Sequence, residues 1–164
     1  MTGSPIGWHL AQMNVARALY PLEHPGMSGF MERLDEINAL AETSPGFVWR
    51  LQSDSGNATD IQVSDDAQFI VNLSVWSDID SLFGYVYRTG HTKVMAQRRQ
   101  WFERSDKPHM VLWWVPAGRY PSPQEGMEKL AYLDANGPGP LAFTFKKRFA
   151  PPTNDIEMND ALAG

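Results

Sequence analysis

The chain has no cysteine, which excludes disulfides, thiolate nucleophiles and cysteine-held zinc or iron–sulfur centres. It also lacks any apolar run near the roughly 18 residues of a membrane-spanning helix, so no membrane association is expected. The stretch MTGSPIGWHLAQM has no basic region followed by an apolar one, so a secretory leader is not expected, and a cytoplasmic location is. Positive charge is scarce: 14 Lys and Arg stand against 19 Asp and Glu, a formal net charge of −5. The basic clusters are Arg98-Arg99 and Lys146-Lys147-Arg148. Neither forms a stripe that would neutralise phosphates, so nucleic acid is not expected as a partner. A Gly-rich phosphate loop, a Gly-x-Ser-x-Gly elbow and a dinucleotide fingerprint are all missing, which argues against ATP hydrolysis and nicotinamide redox chemistry. His9, His24, His91 and His109 are isolated in sequence, with no His-x-x-x-His pair, so no metal site is expected.

What the chain does have is apolar and aromatic bulk. Hydrophobic residues make up 43% and aromatic ones 12% of 164 residues, enough for one domain with a sizeable core. That domain is expected over residues 1–149, with a Pro-led, acidic and flexible tail over 150–164. The spacing predicts a first strand over Trp8–Ala16, with Trp8, Leu10, Gln12 and Asn14 on one face and Ala11, Met13 and Val15 on the other. Phe30, Leu34, Ile37 and Leu40 or Ala41 fall at helical spacing within Ser28–Thr43, and Ser44-Pro45-Gly46 stops that helix. A second strand is predicted over Phe47–Gln52, with Phe47, Trp49 and Leu51 on one face, and a third over Gln68–Trp76. Ser77 or Asp78 then caps a second helix running to about Phe102, with Gly90 inside it. Met110–Val115 reads as a fourth strand. Ser122-Pro123-Gln124-Glu125 carries the signature of a helix start, with a Ser cap, Pro in the first position and Glu in the third. Asn136-Gly137 ends that helix, and Ala142–Phe149 reads as a fifth strand.

The order β-α-β-β-α-β is that of the ferredoxin-like split βαβ, an α+β fold, here with an appended α-β unit. Such a sheet carries its helices on one face. Trp8, Trp49, Trp76, Trp113 and Trp114 are too many to lie under two or three helices, so a homodimer closing two sheets face to face is expected.

The segments HLAQMNVAR, PGFVWRL, NLSVWSDIDSLFGYVYRTGH, RRQWF, VLWWVPAG and FTFKKRF, spanning Trp8 to Phe149, resemble a domain-of-unknown-function family of the dimeric α+β barrel superfamily. That superfamily includes the antibiotic-biosynthesis monooxygenases. The resemblance implies a ferredoxin-like dimeric α+β barrel. It also implies a menu of chemistries: cofactor-independent oxygenation of aromatic polyketides, cyclisation, isomerisation, and heme binding or degradation. The heme-degrading members use an Asn on the first strand, a Trp at the end of the third and a His on the following helix. By that resemblance Asn14, Trp76 and His91 occupy matching positions.

The candidate site residues come from two elements. In the third strand Phe69, Val71, Leu73 and Val75 point one way and Asn72, Ser74 and Trp76 the other. The apolar set is expected to face the helices. Asn72, Ser74 and Trp76 would then face the barrel interior, with Gln12 and Asn14 beside them, to orient a carbonyl or phenolate. On the second helix His91 shares a face with Tyr87, Met95, Arg98 and Phe102. His91 is the expected general base, with Tyr87 and Asn72 as catalytic partners. Gln12, Asn14, Ser74, Trp76, Trp49, Met95 and Arg98 are expected to bind substrate, Arg98 with Arg99 and Arg50 as anchors for a carboxylate. Each has a plainer alternative. His91 then belongs to the core or an interface, the strand amides are solvated or bridged by water, the aromatics are core, and the arginines pair with Glu103 or Asp106.

The leading expectation is an enzyme without cofactor acting on a small, apolar, aromatic or polycyclic substrate by oxygenation, isomerisation or cyclisation. Heme binding or degradation through His91 is the second, and a non-catalytic ligand-binding dimer the third.

Overall fold

The computed structural model describes residues 7–52, 66, 68–88 and 98–152. In chain order the described elements are β1 (Trp8–Arg17), a 3-10 turn (Pro25–Met27), α1 (Ser28–Glu42), β2 (Phe47–Arg50), β3 (Phe69–Trp76), α2 (Ile79–Arg88), α3 (Arg98–Trp101), β4 (Met110–Pro116) and α4 (Pro123–Asn136). The strands form one antiparallel sheet in the order β2-β3-β1-β4, the ferredoxin-like arrangement expected from the element order. β1 and β3 are its central pair, joined from Leu10 opposite Trp76 to Arg17 opposite Phe69.

Local chemistry sets the ends of the elements. Asp78 caps α2: its Oδ1 accepts the Ser81 amide at 2.7 Å, and that bond holds the Asp78 carboxyl below the usual carboxylate range. Ser122 Oγ accepts the Glu125 amide at 3.1 Å at the start of α4. The Glu125 carboxylate, which a reciprocal capping box would turn back onto the cap, instead accepts from Trp113 Nε1 at 2.9 Å and from Arg119. At the other end of the sheet Arg17 bridges Asp66 and Glu103, tying the end of β1 to the chain entering β3 and leaving α3.

Both faces of the sheet are covered, each by different helices. Ala11, Met13 and Val15 of β1, Val71, Leu73 and Val75 of β3, and Val111, Trp113 and Val115 of β4 pack with Leu130 and Leu133 of α4. Leu10, Trp76, Leu112 and Trp114 point the other way, into Ile37, Leu40 and Ala41 of α1 and Leu82, Tyr85 and Val86 of α2. This corrects one expectation. The apolar face of β3 meets α4, while its polar face lies under α1 and α2 rather than in a barrel interior. The alternation was legible, but the assignment of helices to faces depends on long-range packing that periodicity does not encode.

One further expectation changes. Ala142–Phe149 is not a fifth strand. Phe143 exchanges one reciprocal pair of backbone bonds with Leu112, at 2.9 and 2.8 Å. The Lys147 amide then bonds Thr144 Oγ1 at 3.2 Å and turns the chain away from the sheet. Of the predicted second helix, Ile79–Arg88 and Arg98–Trp101 are helical; the residues between them, Gly90 included, lie outside the described residues, as does most of the expected tail.

Two glycines permit close approaches. Gly46 has φ 81°, a left-handed conformation that side chains disfavour, and a Cβ there would collide with Ser81 and Ser77 at the start of α2. Gly126 lets α4 lie against β1, since a Cβ there would collide with the Met13 sulfur. Gly46→Ala is expected to destabilise the fold by about 2–4 kcal/mol, combining backbone strain and overpacking. Gly118→Ala (φ 90°), which meets nothing within 4 Å, is the control for backbone strain alone and should lose less in urea denaturation. Gly126→Val is expected to wedge α4 from the sheet at a cost of about 1–3 kcal/mol, again read by urea denaturation.

Candidate functional site

Between the sheet and α1 and α2 lies a cavity of about 190 Å³. Its floor is the polar face of the central strands. Register places Gln12 opposite Ser74 and Asn14 opposite Asn72, so four polar side chains from two strands form one patch. Ser74 Oγ is its hub. It accepts Trp76 Nε1 at 2.9 Å and Gln12 Nε2 at 2.8 Å, and Gln12 Nε2 also donates to Asn72 Oδ1 at 2.7 Å.

Counting donors and acceptors shows what this patch has left to offer. An indole nitrogen only donates, and a hydroxyl has one hydrogen and two lone pairs. With both lone pairs of Ser74 Oγ taken, its hydrogen remains for an outside acceptor. Gln12 spends its amide nitrogen within the patch and keeps its oxygen as an acceptor, and Asn72, with one lone pair of its oxygen taken, keeps its amide N–H groups. The floor therefore still presents hydrogen-bond donors at Ser74 and Asn72, beside the amide oxygens. Burial grades along the patch: Trp76, Gln12 and Ser74 are buried, Asn14 is half-buried, and Asn72 is exposed in mid-strand because the cavity opens above it.

The walls are largely aromatic and aliphatic. Trp76 stacks on Tyr85 at 5.1 Å and meets Phe47 edge-on at 5.5 Å. Tyr85 donates its hydroxyl to the Ile37 carbonyl at 3.2 Å, and burial pushes the phenol well above its ordinary pKa, with the nearby Arg50 charge opposing. Tyr85 is thus a neutral wall rather than a base at neutral pH. Phe30, Leu34 and Ile37 complete the α1 side.

The charged lining is of one sign. Arg33, Arg50 and Arg98 line the cavity together with His109, and no Asp or Glu does so among the described residues. Arg50 pairs with Glu42 at 3.4 Å. Arg98 stands 5.7 Å from the centre of the Phe102 ring, and burial lowers its pKa. His109 is exposed at the mouth. Partial desolvation and then the Arg98 charge hold its imidazole below the ordinary value of 6.5, so it is neutral at pH 7 and able to accept a proton.

The structure brings together Gln12, Asn14, Asn72, Ser74, Trp76 and Arg98 from the predicted set. His91 and Met95 lie outside the described residues. Two predicted residues sit elsewhere. Tyr87 is 48% exposed and packs its ring on Phe83 and Phe145, away from the cavity. Trp49 lies on the opposite sheet face, stacked on Tyr120 at 5.0 Å, because a register shift between Phe47 and Trp49 puts these two residues on different faces.

Four polar lining residues are not among the predicted site residues. Tyr85 had a signal: Leu82, Tyr85 and Val86 stand at i, i+3 and i+4. Asn38 had one too, as a polar side chain four residues after Leu34 on the apolar face of α1. Arg33 and His109 had none, since only the fold carries them to the same opening.

No curated protein matches the sequence. Among solved structures the chain is similar to a protein of unknown function from Nitrosomonas europaea, NE2512, at 12% identity and a TM-score of 0.44, covering 73% of this chain and 98% of that one. It is similar to SnoaB, a cofactor-independent oxygenase from Streptomyces nogalater, at 16% identity and a TM-score of 0.43, covering 70% and 97%. PA3566 from Pseudomonas aeruginosa is similar at 14% identity and a TM-score of 0.42, covering 73% and 99%. The sequence also matches one protein family over residues 9–159, nearly its whole length: the chain belongs to the family described as Domain of unknown function (DUF3291), a family of the kind its strand and helix motifs anticipate.

Proposed function

We propose that this protein is an enzyme acting on a small aromatic substrate by acid–base chemistry without a bound cofactor, with oxygenation as the reaction that suits the site best. The observation that carries this reading is an aromatic-walled cavity whose floor offers free donors at Ser74 and Asn72 and whose lining, among the described residues, holds no carboxylate. Such a site favours an oxyanion: a phenolate or enolate is stabilised where it forms, and repulsion from carboxylates is missing. A cavity of 190 Å³ suits one or two rings rather than a polycycle. An apolar cavity of roughly 150 Å³ accommodates benzene, and drug-sized ligands occupy about 300–1,000 Å³.

In this reading a neutral histidine removes a proton from an acidic carbon or phenol. His109 lines the mouth in the required protonation state, and His91 is the base that the sequence pattern proposes. The Ser74 and Asn72 donors hold the resulting anion against Trp76. The carbanion then transfers electrons to dioxygen and forms a carbon–oxygen bond. Loss of water from the hydroperoxide leaves a carbonyl: a CH₂ is oxidised by four electrons, and the dioxygen ends as the carbonyl oxygen and water. Isomerisation or cyclisation would use the same deprotonation without oxygen.

Heme is a poor match for the cavity bounded by the described residues. Its volume is below even the lower limit for drug-sized ligands. A heme titration is expected to leave the Soret band of free heme unshifted; a saturable shift lost in His91→Ala would instead make heme the ligand.

Oxygen uptake with a panel of dihydroxynaphthalenes tests the enzyme assignment. Turnover is expected to fall by about 10²-fold in Asn72→Ala. The rise of kcat/KM with pH should have its midpoint below 6.5, because the base is competent only when unprotonated and its pKa is lowered. His109→Gln should abolish that rise; its loss in His91→Gln instead would identify His91 as the base. Uptake indifferent to Asn72 and both histidines would sink the assignment.

A further inference from the structure

Four arginines in the described structure each have a carboxylate: Arg17 has Asp66 and Glu103, Arg50 has Glu42, Arg119 has Glu125 and Arg148 has Asp80. Arg98 has none among the described residues, although it is partly removed from water. The acid nearest in sequence, Glu103, is committed to Arg17. Arg98 also occupies a particular place. It lines the main cavity and a second hollow of about 240 Å³ beside it, together with Ala16 and His109, so it stands where the two meet. Arg33 of α1 lines the same main cavity and has no carboxylate partner among the described residues. A guanidinium that loses hydration without gaining an anion raises the free energy of the empty protein, and an arriving anion recovers it.

We propose that the substrate of this cavity carries a carboxylate, held at the mouth by Arg98 with Arg33 assisting, while its aromatic ring lies against Trp76. This rests on the reading of the cavity as a substrate site and names the substrate class: a small aromatic acid. The chemistry of the lining supports it. The floor donors at Ser74 and Asn72 serve the oxygen at the reacting end, and the arginines serve a second charge at the other end. The planar guanidinium fork matches a carboxylate in two parallel bonds, which fixes ring orientation as well as adding affinity. The cations at the mouth also attract an anion from solution before contact. Arg98 is here a specificity residue and takes no part in proton transfer.

The experiment is a matched pair of probes, 2-naphthoate and 2-naphthamide, whose binding to the full chain is followed by calorimetry. The wild-type protein is expected to bind the naphthoate about tenfold or more tightly than the amide, the range of one charge-assisted contact. Arg98→Gln should remove most of that preference and leave amide binding unchanged. Arg33→Gln should remove less of it, and Arg98→Lys should keep part, since it retains charge without the fork. Preservation of amide binding reports that each variant is folded. Equal binding of the two probes by wild-type protein, or a preference that survives Arg98→Gln, overturns the carboxylate proposal and leaves the acid–base reading standing. Failure of both probes to bind overturns the cavity as an aromatic substrate site, and both proposals with it.

Discussion

Everything in this molecule follows from one constraint on the central strands: β1 and β3 must bury both faces, and their side chains alternate between faces that differ in chemistry. Ala11, Met13, Val71, Leu73 and Val75 satisfy one face by close packing under α4. The opposite face carries Gln12, Asn14, Asn72 and Ser74, which cannot be sealed by aliphatic side chains without stranding polar groups. The solution is an unfilled space above that patch, roofed by α1 and α2. The cavity is thus a direct consequence of which residues occupy even positions on two neighbouring strands. A one-residue slip of register would exchange the faces and place the amides under α4, where Gly126 brings the helix too close to admit them.

The buried indoles show how tightly polar satisfaction governs this arrangement. Three of the four buried tryptophans among the described residues have a designated acceptor: Ser74 Oγ for Trp76, Glu125 for Trp113 and the Phe149 carbonyl for Trp114. The last two bonds belong to structure, fastening α4 and the chain after it to β4. The first differs, because Ser74 is shared with Gln12 and borders the cavity. The bond that fixes the Trp76 wall therefore also orients the Ser74 hydrogen. Wall rigidity and donor direction are set by one contact, so a substituent placed against Trp76 meets a donor that is already aligned.

Much of this was legible in the sequence, and the losses have physical causes. The strand faces of Trp8–Ala16 and Gln68–Trp76 could be assigned because period-2 alternation is local. The Ser122 cap and the Ser44-Pro45-Gly46 stop could be assigned because caps and turns are chemistry within a few residues. Trp49 was misplaced because a register shift inverts alternation and leaves no trace in a run as short as FVWRL. A helix face projected from His91 selects Tyr87 over Tyr85, whereas the face that matters is the one α2 turns to the sheet. The Ala142–Phe149 stretch has strand composition, but Thr144 bonds its own chain and ends the pairing after a single bridge. Arg33 and His109 are far apart in sequence and meet only through the fold, so no spacing rule reaches them.

The position of α4 decides what covers the apolar face of the sheet within the chain. A ferredoxin-like sheet with helices on one side leaves an apolar face that a second sheet can cover, and the many aromatics made that the economical expectation. Here Leu130 and Leu133 of α4 take that role within the chain, and Leu73, Val75, Val111 and Trp113 are buried without a partner. Within the chain, α4 supplies the burial of Met13 and Trp113 on that face. The same helix frees the other face from structural duty. With the apolar side sealed internally, α1 and α2 need not close completely over Gln12, Asn72 and Ser74, and a fold of this size can keep both a dense core and a solvent-connected, cation-rimmed cavity on opposite sides of one sheet.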